Sequence, residues 1–141
     1  MKTFALIAAL MLASVGCGGD GDSVTAPAET TSGLGSFTFS DLLPVQGSRF
    51  YSFTVNETGA VSATLASLMD QRTGPASSAV VRLGLGVPAG VGCNVTESIE
   101  TGPALTAQLT TTLNPDVYCV EVHDIGTLTA PVHFTVRVVH P

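Results

Sequence analysis

The residues of this 141-residue chain that could do chemistry are three cysteines, three histidines and a thin set of carboxylates. Only His123, His133 and His140 could act as bases near neutral pH. If the strands on either side of Asp124–Pro131 form a hairpin with Val122 opposite Phe134, His123 faces His133 on the outward side. Glu121 and Asp124 then lie nearby, and two imidazoles with a carboxylate could hold Zn²⁺ or Cu²⁺. The plainer reading of the same residues is a solvated strand face, so no metal or other cofactor is assigned. No GxSxG elbow, Ser-x-x-Lys, HExxH or glycine-rich phosphate loop occurs. The single lysine is Lys2, which excludes lysine chemistry in a folded domain. The expectation is a protein that is not an enzyme.

Cys17 belongs to a different kind of chemistry. Lys2 precedes the apolar run Phe4–Ala13, and the small residues Ser14 and Gly16 lead into Cys17. A positive start, a short apolar stretch and a small-residue exit describe a signal peptide, here residues 1–16 with its signal helix. The run is far short of the roughly 20 residues that span a bilayer. Ser14-Val15-Gly16-Cys17 resembles the bacterial lipobox, which implies cleavage before Cys17 and acylation of that cysteine. An ordinary signal peptidase could also cut near Gly16, giving a secreted protein. Cysteine parity favours the lipobox, because three cysteines in an exported chain leave one unpaired. The expected location is the cell envelope, with the lipid bilayer as partner through Cys17.

Removing residues 1–16 takes away Lys2 and leaves four arginines against 11 acids, a net −7. Such a chain lacks the basic footprint of a nucleic-acid partner. Attachment to a membrane would then be by acyl chains instead of by charge. Residues 17–36 are rich in Gly, Ser, Thr and Ala and hold almost no large apolar side chain. They read as a lipidated flexible tether. Asp20 and Asp22 within it are solvated linker charges without calcium-loop spacing.

From residue 37 to 141 the hydrophobic period is two. Tyr51, Phe53 and Val55 share a face, as do Val61, Ala63 and Leu65. Further sets are Val81, Leu83, Leu85 and Val87; then Leu105, Ala107, Leu109 and Leu113; then Tyr118, Val120 and Val122; then Val132, Phe134, Val136 and Val138. Phe37 and Phe39 start a short additional strand. The polar partners are mostly Thr and Ser, and only 11% of residues are charged, against roughly 25% in an ordinary domain. The pattern predicts an all-β, antiparallel sandwich of 6–8 strands.

Within that domain Cys93 and Cys119 remain to be paired, and export favours a disulfide. A metal-thiolate site would need more ligands than these two. Cys119 falls on the opposite face from Tyr118 and Val120, which would put the bridge on the sandwich surface.

Arg49-Phe-Tyr-Ser-Phe-Thr-Val55, Thr58–Leu65, Leu113-Asn-Pro-Asp-Val-Tyr-Cys-Val-Glu-Val122 and Phe134–Val138 together resemble the bacterial pre-peptidase C-terminal domains. The resemblance implies a jelly-roll-like sandwich of the kind appended to secreted enzymes, some of which bind matrix polymers or calcium. The expectation is of a domain without a preceding catalytic one, and no calcium ligand is carried over. The functional expectation is a non-catalytic envelope lipoprotein presenting a binding or accessory module to an extracellular polymer or protein. The alternatives are a self-associating surface subunit and a metal-dependent protein using the His123–His133 pair.

Overall fold

The computed structural model describes residues 33–141. The signal segment 1–16, Cys17 and most of the tether lie outside the described residues. Eight strands follow in chain order: β1 (Gly35–Leu43), β2 (Ser48–Val55), β3 (Gly59–Asp70), β4 (Val81–Ala89), β5 (Gly92–Thr101), β6 (Leu109–Leu113), β7 (Asp116–His123) and β8 (Val132–His140). They pair antiparallel in two four-stranded sheets, one in the order β1-β8-β3-β6 and the other β2-β7-β4-β5. This alternation of the chain between two sheets is the eight-stranded jelly roll.

Period-two alternation builds the core. Phe53, Val55, Val120, Val122, Leu83 and Leu85 from one sheet meet Val61, Ala63, Leu65, Phe134, Val136 and Val138 from the other, all buried. Each such side chain contributes on the order of 1.5–3 kcal/mol by leaving water. A β-bulge between Leu65 and Ser67 resets the alternation of β3. Leu68 therefore turns inward, fully buried, and Met69 outward, 45% exposed.

The structure departs from the sequence reading in three places. β5 was not expected: as an edge strand with Asn94, Thr96, Glu97, Ser98 and Glu100 it has no continuous apolar face. The strand expected from Leu105 begins only at Leu109, and Leu105 is wholly exposed. There the Gln108 side chain does the work of strand pairing. Its Oε1 accepts from Leu65 N at 2.6 Å and its Nε2 donates to Gly102 O at 2.7 Å. Finally, β7 and β8 do not form a hairpin, because residues 124–131 carry the chain from one sheet to the other.

Candidate functional site

The absence of that hairpin separates the two histidines. His123 lies between Ser48 on β2 and Arg82 on β4, and His133 between Leu42 on β1 and Met69 on β3. Each points outward from its own sheet, on opposite faces of the sandwich, so the His123–His133 cluster does not exist. The neighbours of His123 are also wrong for a cation: Arg82 stands beside it and binds Glu121 at 3.4 Å. Among the described residues no three His, Cys, Asp or Glu side chains come together as a metal site.

Asp124, the remaining member of that set, is a loop organiser. It is 2% exposed, at the start of the crossover. Its Oδ2 accepts from Gln46 N at 2.7 Å. Its Oδ1 accepts from Gly126 N, Thr127 N and Leu128 N at 2.9, 3.0 and 3.2 Å. Burial pushes its pKa up, but these four amides outweigh it and hold the carboxyl below its usual value. Gly126, at φ +94°, supplies the left-handed turn that lets the amides converge. An Asp two residues before Gly was the legible sign of such a turn.

Cys93 and Cys119 form the disulfide, with Cα atoms 5.9 Å apart. Cys119 is fully buried although it points away from the core. The bridge runs over the outer face of β4, where Gly86 is the partner of Cys119 and Pro88 the partner of Cys93.

The outer face of the β1-β8-β3-β6 sheet is built in rows by the strand register. Thr38, Arg137 and Thr64 form one row; Ser40, Thr135 and Ser67 the next; Leu42, His133 and Met69 the last. Ser40 and Thr135 share a hydroxyl hydrogen bond of 2.9 Å. Ser62 and Thr110 extend the face onto β6. None of the eight acids of residues 33–141 falls in these rows, where Arg137 is the charged side chain, and Asp41 reaches only the margin of the face. Toward the last row the surface dips into an open depression of about 330 Å³ lined by Ser40, Asp41, Leu42, Ser67, Met69, His133, Phe134 and Thr135.

Asp41 on its margin is already engaged. It accepts from Leu42 N at 2.7 Å and from Tyr51 Oη at 3.0 Å, and pairs with Arg49 at 3.3 Å. The Leu42 amide, then the Tyr51 hydroxyl, hold its carboxyl below the usual range. Burial first, and then Asp41, push the Tyr51 hydroxyl up to about 12. Tyr51 stacks on Phe39 with ring centroids 4.7 Å apart, as core packing requires. The third histidine, His140, is buried and stacks on Phe37 at 5.0 Å.

Met69 is the site residue that sequence reasoning missed. Strict alternation from Leu65 would have carried it inward, and only the bulge places it next to His133.

No family model matches the chain, and no curated protein matches it. Its functional reading rests on this geometry.

Proposed function

We propose that this protein is a non-catalytic lipoprotein of the cell envelope, held at a bilayer by acylated Cys17 and carried on the segment 17–36. Its sandwich presents the hydroxyl face of the β1-β8-β3-β6 sheet to an extracellular polymer or protein. The observation that carries the reading is that none of the eight acids among the described residues falls in the rows of that face. Ser and Thr rows with Arg137 at their centre suit a hydroxyl-rich, anion-bearing polymer that the rest of the acidic surface would repel. The groups a hydrolase would recruit are otherwise occupied: Asp124 by backbone amides, Asp41 by Tyr51 and Arg49, and Glu121 by Arg82.

Two arms test this. Detergent-phase partitioning of the full chain should be lost in Cys17→Ser, and unchanged partitioning refutes the anchor. Co-sedimentation with insoluble envelope polysaccharide should fall in Arg137→Glu and Thr64→Glu but not in Glu100→Gln. Equal loss in all three, or in none, refutes the face.

A second reading, a self-associating surface subunit, is favoured by the nine-residue edge of β1, which carries no bulge and sits beside the exposed Phe37 and Leu34. Concentration-dependent size on gel filtration separates this reading from a monomeric binder.

A further inference from the structure

His133 and Met69 are direct register partners on neighbouring antiparallel strands. Directly opposite residues have Cβ atoms roughly 4.5–5.5 Å apart, so an imidazole and a thioether on one face can converge on a single ion. Both side chains are exposed, and both line the 330 Å³ depression. Neither imidazole nitrogen of His133 is committed to a hydrogen bond or ion pair among the described residues. The backbone beneath is pinned on both sides. Met69 pairs with His133 on one side and bridges to Ala76 on the other, and Asp70 N donates to Pro75 O at 3.1 Å.

We infer that Met69 and His133 form a binding site for a soft monovalent metal ion, Cu(I). The donor set decides the metal. A thioether is a poor ligand for Mg²⁺, Ca²⁺ or Zn²⁺ and a good one for Cu(I), while imidazole serves copper well. Zn²⁺ takes four ligands or three with a water, and no third His, Cys, Asp or Glu joins this pair among the described residues. Cu(I) accepts few ligands, so a two-donor site that fails zinc still suits it. Leu42 flanks the soft pair, and the one carboxylate that lines the depression, Asp41, is already held by Leu42 N, Tyr51 Oη and Arg49. Charge does not oppose the ion. Asp41 is the ionised group on the margin, whereas Arg137 lies four residues along β8 from His133, roughly 13 Å at the rise of a strand and beyond a physiological Debye length.

The same geometry excludes His123, which has Arg82 and Ser48 as register neighbours and no methionine. Met1 and Met11 belong to the signal segment, so Met69 is the one methionine of the folded domain.

The test uses the full chain carrying Cys17→Ser, so that a free thiol cannot bind the metal while the Cys93–Cys119 bridge stays intact. Under anaerobic ascorbate, this chain should withdraw one equivalent of Cu(I) from a weak coloured chelator. Met69→Leu and His133→Ala should each lose that equivalent, His123→Ala should keep it, and Zn²⁺ should not be retained by any of them. In the parent chain, Ag(I) should shift the Met69 methyl and His133 ring proton resonances together, a readout independent of any variant's folding. No Cu(I) withdrawal, equal withdrawal by Met69→Leu, loss in His123→Ala, retained Zn²⁺, or Ag(I) shifts confined to other residues would each overturn the site.

Discussion

Cys93 and Cys119 sit on strands that are not neighbours, yet their Cα atoms are only 5.9 Å apart. Strands two apart in a sheet are normally separated by about 9.5 Å. The difference is made by the start of β5, which curls over the outer face of β4. A Cβ added at Gly86 would lie 2.0 Å from the Asn94 carbonyl oxygen and 2.7 Å from Val95 Cα. One added at Gly84 would meet Val95 Cγ1 at 2.7 Å. The register slip in β5 opposite Leu85 and Gly86 is where the strand turns. Two side-chain-free positions on β4 thus make room for a covalent strap across it.

Gly86→Ala should therefore destabilise the domain by about 3 kcal/mol, the upper range for overpacking, because the obstructing atoms are backbone. Gly92→Ala, where the nearest atom to a new Cβ is 3.8 Å away, should change stability little. Denaturant midpoints of the two variants check this, and equal midpoints would contradict the packing described.

Removing the strap itself has a separate cost. The bridge closes a loop with a sequence separation of 26, and cutting it in Cys93→Ala/Cys119→Ala should cost roughly 3–4 kcal/mol in the loop-closure picture. Hydrogen exchange should rise first in β5, an edge strand that pairs with β4 alone.

Asp124→Ala leaves three crossover amides and that of Gln46, in the turn between β1 and β2, without their acceptor and should cost about 2–4 kcal/mol. The carboxyl has a folded-state pKa below its unfolded one. It stabilises the fold above the unfolded value of about 3.9, and that stability is lost as pH falls through the folded value. Acid unfolding monitored by circular dichroism should shift to higher pH on destabilisation by Asp124→Ala. Its residual acid dependence should also be shallower.

Tyr51 behaves in the opposite sense. Its hydroxyl titrates at about 12 in the folded protein, against about 10 unfolded, so the stability it lends is complete below pH 10 and lost as pH rises through 12. An ultraviolet phenolate titration should show a late step that is absent in Tyr51→Phe and moved to lower pH in Asp41→Asn. A Tyr51 step at its ordinary position would show that the hydroxyl is neither buried nor bonded to Asp41 in solution.

Much of this architecture could be read along the chain because hydrophobic alternation is a local property. The inward sets Tyr51/Phe53/Val55, Val61/Ala63/Leu65, Tyr118/Val120/Val122 and Val132/Phe134/Val136/Val138 all face the interior as their spacing requires. β5 was not legible, since an edge strand strapped over a neighbour needs no apolar face of its own. The true start of β6 was hidden for another reason: apolar alternation runs through Leu105 and Ala107, whereas there the Leu65 amide donates to the Gln108 side chain and the Leu65 carbonyl accepts from Ala104 N.

By itself, the sequence determined the all-β class and the inward face of most strands, and it pointed to Cys93 with Cys119 once Cys17 was set aside, a pairing the structure then showed. The class and the faces follow from side-chain period, which needs no knowledge of strand partners. The tertiary structure alone decided which strands meet. Placing β7 and β8 in different sheets parted His123 from His133 and turned Asp124 into a buried cap. One extra residue in β3 then rotated Met69 outward beside His133. Strand partnership and bulges depend on closing the sandwich as a whole, a condition that no local window of residues contains.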